Sequence, residues 1–393
     1  MISEQAPEAS ATVAVGMAGL AVAMGIGRFA FTPLMPIMQA KWGLTLGQGS
    51  RLAAANYLGY LVGALACVYA APRPGVAARA GLLGVALFTA AMGLTGGFND
   101  WLAWRFLAGA ASALVLVGVS AWTLARLAAA RRPQWAGGTY AGVGVGIVVA
   151  GVAAVFVASA GVDVARSWLA LAALSMLVLL VTWRSYAAAS GSERAAAKAG
   201  RMDGEAWRLV ACYGVFGFGY ILPATFLPSQ AREWIADPSI YGWIWPVFGV
   251  AAALSTIAAA LALRNVPPRR VWIGAQLVMA AGVAAPAIVP HAIALIAAAI
   301  AVGGTFMVIT MAGLQEARRV AGDGASRLIA AMTAAFAAGQ CLGPAVVGML
   351  PAANPSLRVA SLAAAGLSAA SAIALAAMRE RRTHPPYSSD PTR

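Results

Sequence analysis

The chain has 393 residues, 61% of them hydrophobic and only 10% charged, with a mean hydropathy of +0.79. That is more apolar surface than a soluble core of this length can hide, so a soluble enzyme is set aside and lipid is the expected solvent. The net charge of +14 comes from Lys and Arg scattered between apolar runs rather than gathered into a patch, and no nucleic-acid partner is expected.

The first apolar run, residues 11–38, follows Glu4 and Glu8 instead of a basic segment and is too long for the core of a secretory signal. It reads as a retained helix 1 over 12–37. Arg28 lies in it, within Gly25-Ile-Gly-Arg-Phe-Ala-Phe-Thr-Pro33, roughly 6 Å past the helix midpoint at about 1.5 Å per residue. A cation at that depth should face the bundle interior, because lipid would leave five donors and a full charge unsolvated. Two roles are open to it: contact with a substrate or gate, or capping of carbonyls freed by Pro33 and Pro36.

Further runs of about 20 apolar residues, enough to cross about 30 Å of hydrocarbon, predict helices at 52–71, 77–97, 101–124, 136–158 and 167–186. Asn56 and Tyr60 stand one turn apart on helix 2. Arg105 opens Arg-Phe-Leu-Ala-Gly109-Ala-Ala-Ser-Ala113 near one end of helix 4, where it either snorkels and braces or reaches the central cavity. Helix 5 carries Gly142, Gly146 and Gly151. Residues 187–206 then turn polar and charged, as a linker would. A second set of runs lies at 207–229, 241–263, 270–289, 292–314, 327–350 and 357–378, with Tyr220 mid-way along helix 7 and Gly339, Gln340, Gly343 and Gly348 on helix 11. A basic tail ends the chain.

The expected organisation is therefore an all-α integral membrane protein of twelve transmembrane helices: a six-helix bundle over 1–186, a cytoplasmic linker at 187–206, a second bundle over 207–379 and a cytoplasmic tail at 380–393. Lys and Arg number 20 in the segments this topology puts inside and 5 in those it puts outside, the sense of the positive-inside rule with both termini cytoplasmic. An offset of 192 residues lays Gly25-Ile-Gly-Arg28 on Gly217-Phe-Gly-Tyr220 and Pro36 on Pro228. An offset of 197 lays Gly142, Gly146 and Gly151 on Gly339, Gly343 and Gly348. Both join helices of the same direction, as parallel repeats would.

All 13 acidic residues fall in tails, loops or helix ends, Glu316 among them at the end of helix 10. Nothing acidic is then placed to neutralise Arg28, and an anionic solute, a chloride or a water network is expected to visit it. Asn56, Tyr60, Tyr220 and Gln340 lie at similar depth and face the interior, either toward a shared cavity or into interhelical hydrogen bonds. The glycine rows clear one broad face of helices 5 and 11, for rocking or for static close packing alike. Cys67, Cys212 and Cys341 show no paired spacing, and neither a metal nor a cofactor is expected.

Arg105-x3-Gly109-x3-Ala113 and the glycine-rich helices 5 and 11 resemble motifs of the major facilitator superfamily. More narrowly, residues 25–36 on helix 1, Ala55-Asn-Tyr-Leu-Gly-Tyr-Leu-Val-Gly63 on helix 2 and Gly217-Phe-Gly-Tyr-Ile-Leu-Pro-Ala-Thr-Phe-Leu-Pro228 on helix 7 resemble its YbfB/YjiJ-type branch. The resemblance implies a secondary transporter working by alternating access. The superfamily's acid in the loop between helices 2 and 3 is missing from Ala71-Pro-Arg73-Pro-Gly-Val-Ala-Ala-Arg79, which puts a charge latch there in doubt. The expected substrate is a small solute, with an organic or aromatic anion foremost and a co-transported ion allowed; multidrug or sugar efflux is the alternative, and a non-transporting receptor a third reading. With no GxxxxGK[ST] and no His, Cys or carboxylate constellation within the spans, neither ATP-driven transport nor an enzyme is expected. The expected location is a bacterial-type plasma (inner) membrane, multi-pass, as a monomer.

Overall fold

A computed structural model describes residues 5–70, 72–187, 202–235, 237–322, 325–349 and 357–378. Most of the expected linker and the tail lie outside these described residues. In hydrocarbon each backbone N–H and C=O must be paired within its own segment, so the long Ala, Leu, Val and Gly runs fold as helices whatever their intrinsic preference. In chain order these are α1 (Gln5–Leu20), α2 (Phe31–Trp42), α3 (Leu46–Ala70), α4 (Pro74–Leu94), α5 (Phe98–Ala129), α6 (Ala136–Ala160), α7 (Val164–Ala187), α8 (Gly204–Trp234), the short α9 (Pro238–Tyr241), α10 (Ile244–Ala262), α11 (Pro268–Ile288), α12 (Ala292–Ala321), α13 (Ala325–Gly348) and α14 (Leu357–Ala376).

The chain is a multi-pass membrane protein: eleven helices are long and apolar enough to span, counting Glu8–Trp42 as one. The expected helix 2 corresponds to α3, 25 residues long and packed against α5 and α13, which is not among those eleven.

Helix 1 departs from the expected single helix. Between α1 and α2 the residues Ala21–Arg28 form a π-helical segment, and the Phe29 N–H bonds the Met24 carbonyl at 3.0 Å. Proline explains the break. Pro33 has no N–H for the Phe29 carbonyl, which takes the Thr32 N–H at 3.1 Å instead. That turn is drawn tight, and the Arg28 carbonyl one residue back must find a partner elsewhere. Such π turns cluster at functional positions.

Helices α1–α7 pack mainly on one another (α3 and α4 on α5, α4 on α7), as do α8–α14 (α8 on α13 and α14, α11 on α12 and α14). Two extensive contacts cross between the halves: α6 with α10, and α3 with α13. The sequence offset exchanges these two pairs, as a pseudo-two-fold along the membrane normal would.

Glycine decides how closely the crossings approach. A Cβ on Gly142 or Gly146 would overlap the carbonyls of Met17 and Ala21 on helix 1, and one on Gly339 would overlap the Gly214 carbonyl on α8. The expectation of a single cleared face does not hold, for a geometric reason: five residues advance a helix by about 140° beyond a full turn. Gly151 accordingly faces Pro246 on α10, where an added Cβ would come within 2.6 Å of its ring. A Cβ on Gly343 would overlap the Ile221 side chain, with Leu222 next at 3.7 Å, and Gly348 faces Ser50 on α3 at an ordinary 3.6 Å.

Candidate functional site

A cavity of about 280 Å³ runs from Arg28 between the two halves, lined among others by Tyr60, Tyr140, Tyr220, Phe306 and Phe336. Besides Met24 and Arg28, its residues come from the middle and later turns of α3, α5 and α12 and from the earlier turns up to the middle of α6, α8 and α13, so it extends toward the end where those helices finish and begin. The opposite end is sealed by bonds between the halves. Thr32 Oγ1 donates to the Ala224 carbonyl at 2.9 Å, the Tyr57 and Thr225 hydroxyls meet at 3.0 Å, and Arg232 Nη1 donates to the Pro36 carbonyl at 3.1 Å. Thr32 and Ala224 are separated by the repeat offset itself, so the seal lies on the pseudo-axis.

Arg28 sits at the base of the cavity with 1% of its surface exposed. Its guanidinium carbon lies 4.3 Å from the Tyr60 ring centroid and 5.2 Å from those of Phe29 and Tyr57. Three rings soften the cost of burying the charge, since a desolvated cation–π contact is worth about 2 kcal/mol. Ring faces accept no directed hydrogen bond, however, and Arg28 Nε and Nη2 have no partner among the described residues. Of the two roles open from the sequence, carbonyl capping belongs to other residues. Arg105, 2% exposed and far from snorkelling, donates from Nη2 to the Arg28 carbonyl at 3.0 Å and from Nη1 to the Gly27 carbonyl at 3.3 Å. Asn56 Nδ2 donates to the same Gly27 carbonyl at 3.1 Å and to the Arg105 carbonyl at 2.9 Å.

Asn56 and Arg105, grouped from sequence with the substrate-contacting residues, therefore stand behind helix 1 and spend these donors on its broken backbone. Tyr60 and Tyr220 line the cavity beside Arg28 as expected of a shared site. Gln340 stands behind Tyr220, its Nε2 bonded to the phenol oxygen. Tyr220 is stacked between Phe306 and Phe336, with centroids 5.6 Å away on each side and interplanar angles of 3° and 5°. The result is an aromatic slab facing a buried cation.

An all-helical bundle of two similarly packed halves, with a cavity at their junction and a seal at one end, has the architecture of a membrane transporter. The chain belongs to the family described as "Uncharacterised MFS-type transporter YbfB", whose profile matches residues 20–377, within the major facilitator superfamily. No curated protein matches it. Among solved structures it is similar to the nucleoside transporter NupG. A point-mutant form gives a TM-score of 0.70 at 14% identity, covering 94% of this chain and all of that one, and a second NupG structure gives 0.65 at 14%, covering 93% and 98%. At that identity the likeness concerns the fold alone.

Sequence reasoning missed Tyr57, Thr225, Phe306 and Phe336. Tyr57 is one residue from Asn56 and repeats the Tyr60 chemistry, a signal that could have found it; Phe306 and Phe336 carry no signal among so many apolar neighbours. Glu316 lies near the end of α12, as the sequence places it. It is fully buried, with Oε1 at 2.7 Å from both Arg269 Nε and Arg319 Nη2, while Arg269 also reaches Glu205 at 2.5 Å and the Met378 carbonyl at 3.2 Å. A charge cluster thus ties α8, α11 and α12 together in the second half, at the end where the first-half loop lacks its acid.

Proposed function

We propose that this protein is a secondary active transporter that carries a small organic anion, best an aromatic one, through alternating access of the cavity above Arg28. The observation that carries the reading is an arginine 99% buried at the cavity base, two of whose guanidinium nitrogens have no acceptor among the described residues. A carboxylate or sulfonate supplies two acceptors in the fork geometry a guanidinium prefers, and a flat ring attached to it would rest on Tyr60 and the Tyr220 slab. The reading includes twelve spans with α3 as the second, both termini and the linker cytoplasmic, a monomer in a bacterial-type inner membrane, and a cavity facing the cytoplasm, the end where Arg126, Arg131, Arg132 and Arg264 collect.

The test is a thermal-shift screen of purified protein against aromatic acids, amphipathic cations, sugars and a nucleoside, the last because NupG is a nucleoside transporter. Aromatic acids are expected to stabilise wild type and to leave Arg28→Gln unshifted. Stabilisation by cations or sugars alone would replace this reading with multidrug or sugar efflux through an adaptable aromatic cavity.

A further inference from the structure

We infer that the protein works as an anion exchanger, its empty form being unable to switch sides at an appreciable rate. The inference rests on the anion reading above and concerns what happens after the anion leaves. Alternating access requires the cavity to close around Arg28 at some point in every passage. With an anion aboard, the closing site holds a neutral, hydrogen-bonded pair. Without one, it must strip the last water from a guanidinium whose Nε and Nη2 have no protein acceptor.

Among the described residues no carboxylate pairs with it. The titratable side chains around it are Tyr57 and Tyr60 from α3, Arg105 from α5, Tyr220 from α8 and Cys341 from α13. Arg105 adds a second positive charge whose field reaches the same site. The sequence holds no Asp or Glu from residue 9 to 99, and the fully buried carboxylate among the described residues, Glu316, is held by Arg269 and Arg319. The three rings about Arg28 lower the penalty without cancelling the charge. The loaded form therefore crosses and the empty form waits, so one anion enters as another leaves.

Two arms test this on the full chain in liposomes, with benzenesulfonate as the probe because it stays ionised at every working pH and does not leak across lipid. In the first, uptake of labelled benzenesulfonate is compared between vesicles preloaded with unlabelled probe and empty vesicles, with potassium and valinomycin discharging any charge. Preloading should accelerate uptake about tenfold or more, and equal rates would overturn the inference. The second arm needs no transported probe: the distance between spin labels on the sealed ends of α2 and α8 is measured without anion, in wild type, Arg28→Gln and the volume-matched Arg28→Met. Wild type should hold one state until benzenesulfonate is added, whereas either folded variant should sample both. A ligand-free wild type that already samples both overturns the inference. If benzenesulfonate fails to shift wild-type melting more than it shifts Arg28→Gln, the anion reading itself fails, and the exchange inference with it.

Discussion

Helix 1 and α8 begin from nearly the same words, Gly-Ile-Gly-Arg and Gly-Phe-Gly-Tyr, and become different objects. Helix 1 breaks into α1, a π segment and α2, while α8 runs unbroken for 31 residues despite Pro223 and Pro228. The shared glycines do the same work in both: Gly25 lies against Gly146 of α6, and Gly217 against the Phe336 carbonyl of α13. The difference arises a turn further along each helix. Pro33 has Thr225 as its counterpart, so helix 1 loses a backbone donor where α8 gains a hydroxyl. The first half must then recruit Arg105 and Asn56 to satisfy its carbonyls, and it leaves Arg28 unmatched. The second half places a phenol at the same position and pairs it with Gln340. The second half thus gives its phenol a partner, while the first leaves two guanidinium nitrogens of Arg28 open to a ligand.

The largest expected effect from breaking this comparison lies in the packing both halves share. Gly146→Leu drives a side chain into the Ala21 carbonyl and should cost about 3 kcal/mol or more, seen as lost folded yield on size exclusion. Gly343→Leu displaces only the Ile221 side chain and should cost less. Gly348→Leu and Gly274→Leu, in looser or open surroundings, should be tolerated. Equal losses at all four sites would contradict the two-faced arrangement of the glycines.

Next in size is the brace. Arg105→Leu strips the bond from the Arg28 carbonyl, a buried acceptor costing about 1–3 kcal/mol when unmet, and one of two bonds from the Gly27 carbonyl, which keeps Asn56. It should lower the melting temperature and weaken anion affinity together. Gln340→Leu removes the partner of Tyr220 and should lower stability by about 1 kcal/mol without changing the attraction of Arg28 for an anion. Identical behaviour of the two variants would erase the asymmetry between the repeats.

The smallest effect concerns the seal. Tyr57→Phe keeps the ring beside Arg28 and deletes only the hydroxyl that meets Thr225, worth about 0.5–1.5 kcal/mol. Thr225→Val removes the same bond from the other half. Both should raise the reactivity of a cysteine placed at Thr32 toward an impermeant thiol reagent, with little change in melting temperature. No change in that reactivity would mean that the seal does not depend on this bond.

How far the sequence carries can be judged residue by residue. Long apolar runs sufficed for the helices, because lipid leaves the backbone no other choice, and the burial of Arg28 inside the bundle was legible from its place within such a run. The division of labour around it was not. Whether Arg28 or Arg105 caps the freed carbonyls depends on two side chains 77 positions apart converging on one backbone turn. The buried Arg269–Glu316 pair has the same character: each residue sits at a helix end, where charge usually meets water, and only the convergence of α8, α11 and α12 closes it off. The different facing of Gly151 and Gly348 was readable as well, since a five-residue step turns a helix by about 140° beyond a full turn.

The most direct test of the central claim is the affinity of an aromatic acid for wild type, Arg28→Lys and Arg28→Gln, measured by calorimetry at matched amounts of folded protein. Lys keeps the charge but loses the fork, so partial affinity is expected, and Gln should lose most of it. Affinity unchanged across the three proteins would show that Arg28 does not hold the anion.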